Sequence, residues 1–192
     1  MDVKTSSYSP KSVLSITYCN DVLHICKINK NDAWNTCDFV AVNEDRLALF
    51  FPKTREQNLT PDLSKRFTTL KEKQFESREE FLFVLRVNES KKIFGFVYIK
   101  ELHWDILQGE FGYAIDYSLE GKGIISKIVK ELSSYAFETL KLNTLQIITH
   151  KTNIGSVKVA EKCGFVWVKT LKNEFAPKGK DPMDMELYEL YK

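Results

Sequence analysis

An excess of one charge is missing from this 192-residue chain, in which 28 lysines and arginines face 26 aspartates and glutamates and leave a net +2. Proteins that hold nucleic acid by neutralising phosphates need a larger basic surplus. Direct nucleic-acid binding is therefore not expected, and any anion site has to be local. Long apolar runs are missing as well. Stretches such as Phe81-Leu82-Phe83-Val84-Leu85 fall far short of the roughly 20 residues that cross a bilayer as a helix, so no membrane partner is expected. The opening Met-Asp-Val-Lys-Thr-Ser-Ser-Tyr-Ser-Pro has an acid at position 2 and no apolar core of a secretory leader. Cysteine is sparse: Cys19, Cys26, Cys37 and Cys163 include no C-x-x-C pair, and His24, His103 and His150 stand far apart. Neither a zinc site nor a disulfide framework follows from such spacing. Reduced thiols, no metal and a cytoplasmic location are the expectation.

What is present is core-forming material, with 43% hydrophobic residues in a length suited to one domain. Residues 1–22 read as a loosely held arm, with a short strand around 13–18 or 24–28, and residues 23–192 as a single domain. Asn31-Asp32-Ala33-Trp34 offers N-cap chemistry for a helix starting near residue 31. Residues 51–58, with Pro52 and several charges but no period, read as a surface loop. Thr60-Pro61-Asp62-Leu63 resembles a helix start, with Leu63, Phe67, Leu70 and Phe75 as its buried stripe. From Phe81 the pattern predicts a β-hairpin, 81–87 and 93–102, then a strand at 110–116. Ile124, Ile125, Ile128, Val129, Leu132, Tyr135, Ala136 and Leu140 are spaced for one face of a helix of about five turns. A short strand at 144–149, a helix at 154–163 closed by Gly164, and a terminal strand pair complete the chain. This order predicts an α/β or α+β fold, one mainly antiparallel sheet with helices on both faces.

Gly121-Lys122-Gly123 falls between a strand and that long helix. Glycines there let backbone N–H groups approach an anion that the helix N-terminus also favours, and a phosphate or pyrophosphate is the natural guest. The dinucleotide fingerprint would need glycine where Ser126 stands, and the residues before Gly121 do not supply a P-loop.

The run from Glu110 to Ser126, Glu-Phe-Gly-Tyr-Ala-Ile-Asp-Tyr-Ser-Leu-Glu-Gly-Lys-Gly-Ile-Ile-Ser, resembles the acetyl-CoA-binding motif of the GNAT N-acetyltransferase superfamily. It is most similar to the RimJ/RimL branch of ribosomal-protein N-terminal acetyltransferases, in which a Glu-x-Gly-Tyr strand precedes a Gly-Lys-Gly turn. A second match follows at the expected distance: Asn153-Ile154-Gly155-Ser156 with Cys163-Gly164-Phe165 is similar to the Asn-x-x-Ser helix and its terminal Gly-Phe. The resemblance spans roughly residues 22–191 and is carried from Phe81 onward. Two departures stand out. Ser118 occupies the position where the superfamily usually has Gln or Arg, and Phe50-Phe51-Pro52 stands where this branch often has Trp and Pro. The latter implies a different acceptor pocket.

The resemblance implies transfer of acetyl from acetyl-CoA to a primary amine, a protein N-terminal α-amine or a small-molecule amine, by direct attack in a ternary complex without a metal. It places the cosubstrate on Ile115, Ser118, Gly121, Lys122, Gly123, Ile124, Ile125, Asn153 and Ser156, with Lys158 as a further phosphate contact. An ammonium cannot attack a thioester, so a carboxylate must take its proton, directly or through water. Glu110 and Glu174 are the two candidates, and the alternative for either is a solvated strand acid. A backbone N–H near Ile115 is the implied donor to the carbonyl oxygen. Ser156 is the candidate for the leaving thiolate, with an ordinary helix-capping serine as its rival reading. Tyr113 reads as pocket wall, and Cys163 as a structural thiol. Trp34, Phe39, Phe51, Phe67 and Trp104 line either the acceptor pocket or the core. Superfamily habit implies a homodimer. The alternative to an enzyme is a non-catalytic acyl-CoA-binding or regulatory module on the same fold, expected if Glu110, Glu174 and Ser156 turn away from the cleft.

Overall fold

The structure, a computed structural model, describes residues 12–18, 21–177, 179 and 181–192. Residues 1–11 and Cys19 lie outside the described residues, and with them much of the expected arm. Both candidate N-terminal strands form: β1 (Ser12–Tyr18) pairs antiparallel with β2 (Asp21–Lys27). Leu14, Ile16 and Tyr18 alternate along β1 and pack against the core, which is why this segment is strand rather than free arm. The Asn29 side chain then caps a 3-10 turn, Lys30–Asp32, by accepting from the Asn31 N–H at 2.9 Å, and α1 (Ala33–Val42) continues from it.

The expected loop at 51–58 is instead helical, with α2 (Glu44–Phe50) followed by α3 (Pro52–Glu56). Tertiary bonds account for the difference. The Thr54 hydroxyl lies 3.2 Å from the Tyr98 hydroxyl, the Asn58 amide donates to the Thr54 carbonyl at 2.7 Å, and Arg55 pairs with Glu44. Helix α4 (Pro61–Glu76) starts where expected, with the Thr60 hydroxyl accepting from the Leu63 N–H at 3.3 Å. Its buried face differs: Ser64, Phe67 and Thr68 are inside, whereas Leu70 is 47% exposed. The small Ser64 and Thr68, like Thr36 of α1, are fully buried, and α1 and α4 pack against each other.

The remaining elements are β3 (Phe81–Val87), β4 (Gly95–His103), β5 (Gln108–Ile115), α5 (Ile124–Tyr135), β6 (Thr144–Thr149), α6 (Ile154–Lys162), β7 (Val166–Phe175) and β8 (Met183–Tyr191). A π-helical turn, Ala136–Leu140, prolongs α5 to about the expected length. The strands form one sheet in the order β1-β2-β3-β4-β5-β6-β8-β7, antiparallel except for the parallel pair β5 and β6. Helices cover both faces. Phe81, Phe83 and Leu85 of β3 pack with the α5 stripe, while Leu82 and Val84 pack with Phe39, Val40, Leu47 and Phe67 on the opposite side. That two-sided burial explains the unbroken apolar run of β3. Phe39 and Phe67 belong to the core, Trp34 is 68% exposed, and the Trp104 indole donates to the Arg78 carbonyl at 3.1 Å. Among the described residues no helix is long and apolar enough to cross a membrane.

Candidate active site

The site begins where a ladder ends. Strands β5 and β6 pair only from Gln108↔Thr144 to Phe111↔Ile147; beyond that β5 runs on through 112–115 without β6, which stays with β8. The parted strands open the sheet, and two cavities lie along the opening. The larger, about 670 Å³, is lined by residues of the α2–α3 junction such as Phe51, of β4 and β5 such as Lys100 and Glu110, of β6 such as Gln146, and of β7 such as Glu174. The smaller, about 200 Å³, lies against Ile115, the 119–123 turn and the first turns of α5 and α6. Tyr113, Asn153 and Ser156 line both, so the two cavities meet at these residues.

The turn leaves open space beside an uncapped helix start. Gly121 and Gly123 both have φ +72°, the left-handed region open to glycine at no steric expense, and a Cβ at either position would point into open space. Gly123 caps α5 without any side-chain hydrogen bond, so no side chain caps the first-turn N–H groups of Ile124, Ile125 and Ser126, which line the smaller cavity. Arg46, Lys158 and Lys162 add positive charge to the same wall. Arg46, on α2, has no motif to mark it in the sequence. It donates to the Ile115 carbonyl at 3.0 Å, pairs with Glu120 at 3.1 Å and lies over the Tyr117 ring.

Of the residues expected around the cosubstrate, Ile115, Gly121, Gly123, Ile124, Ile125, Asn153 and Ser156 line the smaller cavity, as does Lys158. Ser118 and Lys122 do not. The Ser118 hydroxyl donates to the Asp116 carboxylate at 2.6 Å, and the Lys122 ammonium donates to the Ser118 carbonyl at 2.7 Å, so both side chains close the turn on itself. Asn153 caps α6 by accepting from the Ser156 N–H at 3.2 Å. Ser156 spends its hydroxyl on Tyr113, 2.9 Å away, rather than on a helix N–H.

The three expected acid and hydroxyl groups, Glu110, Glu174 and Ser156, all line the larger cavity. Glu110 is nearly enclosed, its side chain 13% exposed, and pairs with Lys100 at 2.7 Å. Burial pushes its carboxyl above the ordinary value; Lys100 pulls it back, and the carboxylates of Glu101 and Glu174 push it further up. Glu174 is exposed on β7. A Cβ at Gly112 would come within 3.3 Å of both Phe51 and the Lys100 stem, so glycine leaves room for the lysine that holds Glu110. Lys100 was invisible to motif reading; the signal was strand register, since it stands directly opposite Glu110. Burial raises the Tyr113 phenol well above its ordinary value and also raises the Cys163 thiol, whose sulfur donates to the Ser126 carbonyl. Cys163 is thus kept as a thiol. Among the described residues no group of three or more His, Cys, Asp and Glu could hold a metal ion.

Comparison with known proteins adds a family to this geometry. Residues 23–166 match the family model described as acetyltransferase (GNAT) domain. A probable N-acetyltransferase, YjcK, of Bacillus subtilis strain 168 is 26% identical over 144 residues, which cover 74% of this chain and 80% of that protein. Among solved structures, the ribosomal-protein-S5-alanine acetyltransferase from Vibrio fischeri superposes with a TM-score of 0.82 at 23% identity, covering 93% of this chain and 96% of that one. The ribosomal L7/L12 α-N-protein acetyltransferase RimL in complex with coenzyme A gives 0.80 at 16% identity, covering 93% and 98%. At these identities the two structures speak for the fold.

Proposed function

The chain belongs to the GNAT acetyltransferase family, and from that premise we propose that it moves acetyl from acetyl-CoA to a primary amine by direct attack in a ternary complex. The observation that carries this reading is the meeting of the two cavities at Tyr113, Asn153 and Ser156. A cosubstrate and an acceptor entering from different sides would bring their reacting atoms together there, which is the positioning that a transfer without covalent enzyme chemistry requires.

The smaller cavity fits a phosphate-bearing cosubstrate. Its glycine turn leaves space where side chains would stand, its helix start has no side-chain cap, and Arg46, Lys158 and Lys162 supply positive charge. Gly121, Gly123, Ile124, Ile125 and Asn153 would hold it, and its thioester supplies an activated acetyl group. In the larger cavity, Glu110 takes the proton of the incoming ammonium, directly or through one water; its raised affinity for protons suits that task. Glu174, across the same cavity, attracts the cationic acceptor. Ser156 offers a hydrogen bond to the leaving sulfur.

The lining also speaks to the acceptor. It combines Glu101, Glu110 and Glu174 with Lys53 and Lys100 and with Phe50, Phe51 and Phe175. A pocket for polycations should be wholly acidic, so this mixture favours an acceptor with one amine on a partly apolar body, such as a peptide N-terminus.

The test is calorimetric titration with acetyl-CoA, CoA and ATP, followed by thiol release with peptides beginning in Ala or Ser and with spermidine. Binding of both CoA species over ATP, and turnover with the peptides, is expected. No CoA binding would remove the cosubstrate assignment; turnover with spermidine alone would replace the acceptor. A binding-only module is disfavoured because Glu110, Glu174 and Ser156 all line the cleft.

A further inference from the structure

We propose that Tyr113 is a positioning residue whose phenol locks the Ser156 hydroxyl as a donor toward the leaving sulfur. The inference rests on the assignment of Ser156 above and adds a second residue to it. Tyr113 projects from β5 where its ladder with β6 has ended, and it lines both cavities together with Ser156.

A serine hydroxyl rotates freely and has one proton, so its value as a donor depends on what fixes it. In this position three facts combine. Asn153 already satisfies the Ser156 N–H, which releases the hydroxyl from the capping role common at helix starts. The Tyr113 oxygen lies 2.9 Å from Ser156 Oγ and 3.4 Å from the Ser156 carbonyl oxygen. If serine donated to tyrosine, the phenol proton would be left with the long contact to the carbonyl. The 2.9 Å bond can run either way; the proposal takes Tyr113 as its donor, which leaves the serine proton to point elsewhere, into the junction of the cavities. Burial also keeps the phenol protonated throughout the working pH range.

The chemistry balances without any extra reagent. The amine nitrogen bonds to the acyl carbon, the carbon–sulfur bond breaks, and the electron pair passes to sulfur. The amine's proton goes to Glu110 or its water. Ser156 donates a hydrogen bond to the sulfur as charge appears, and Tyr113 polarises that hydroxyl through its own bond; neither oxygen gives up its proton. Because the charge exists only as the bond breaks, both groups act on turnover rather than on binding.

The experiment is a double-mutant cycle on thiol release from acetyl-CoA, with a peptide beginning in Ala as acceptor and with water alone as a second acceptor. Tyr113→Phe removes one oxygen and leaves the ring in the core. Loss of the hydrogen bond to the Ser156 hydroxyl predicts that kcat falls about threefold to tenfold in Tyr113→Phe, with the acetyl-CoA KM within about twofold. The decisive readout is non-additivity: Tyr113→Phe/Ser156→Ala should be no slower than Ser156→Ala. A merely structural tyrosine would give additive losses or a raised KM, and either result overturns the proposal. An unchanged rate in Tyr113→Phe overturns it too. If Ser156→Ala itself retains full activity, the serine assignment falls and takes the tyrosine with it, an outcome distinct from loss in Ser156→Ala alone.

Discussion

Lys100 on β4 stands opposite Glu110 on β5, and its ammonium lies 2.7 Å from the Glu110 carboxylate inside the larger cavity. The pair sets two forces against each other. Burial raises the carboxyl's proton affinity and the lysine lowers it, with burial the larger effect. The outcome is a carboxyl with a higher proton affinity than a surface glutamate, the direction a general base needs.

The pH profile follows from the sign. With Glu110 raised, kcat/KM should climb with pH along an acid limb lying above the ordinary glutamate range. Lys100→Met removes the one lowering charge, so the limb should move to still higher pH. A limb that stays in place after this substitution would exclude Glu110 as the titrating base.

The two acids are separable by amide substitution. Glu110→Gln should lower kcat by about 10²–10⁴-fold, the usual contribution of a positioned base, and abolish the acid limb. Glu174→Gln, on an exposed strand position, should mainly raise the acceptor KM. The reverse pattern in a paired pH–rate series would assign the base to Glu174.

Gly123→Asp tests the anion turn. No atom lies within 4 Å of the new Cβ, so the fold should lose only about 1–2 kcal/mol from left-handed backbone strain. Acetyl-CoA affinity should fall at least about tenfold, since bulk and negative charge enter the phosphate path. Unchanged affinity by calorimetry would remove the site from this turn.

Arg46→Ala should raise the acetyl-CoA KM by about threefold to tenfold while sparing kcat, because it takes a charge from the cavity lining, one bond from the end of β5 and one from Glu120 in the turn that follows. Steady-state kinetics check it; a lower kcat at constant KM would contradict the assignment.

Phe96 is fully buried on the α1 side, with its ring edge-on to Phe39 at 4.6 Å. Phe96→Ala should cost about 3–5 kcal/mol of stability, read as a lower urea midpoint. A loss under 1 kcal/mol would mean that this core collapses around the gap.

The strands from 81 onward, the α5 stripe and the glycine turn were legible because each is written in local chemistry: alternation, 3.6-residue spacing, and glycines where φ is positive. Helices α2 and α3 were not, because their residues lack a clean stripe and are held by bonds such as Thr54 to Tyr98 and Arg55 to Glu44, 44 and 11 residues apart, which no helical period connects. Leu70 was misplaced for a related reason: α4 buries Ser64 and Thr68 and leaves Leu70 exposed, and small polar residues carry no hydrophobic signal.

The sequence by itself marked Glu110, Gly121, Gly123, Asn153 and Ser156 as candidates for one site, through the resemblance of their two ordered motifs to the GNAT family. Only the tertiary structure decided what those residues face. It parted β5 from β6 after Phe111, brought Lys100 to Glu110 and Tyr113 to Ser156, turned Ser118 and Lys122 back on their own turn, and placed Arg46 beside it. Tyr113 and Ser156 are 43 residues apart and Arg46 and Ile115 are 69 apart, and such meetings depend on strand register and helix packing summed over the whole sheet, which no window of sequence contains.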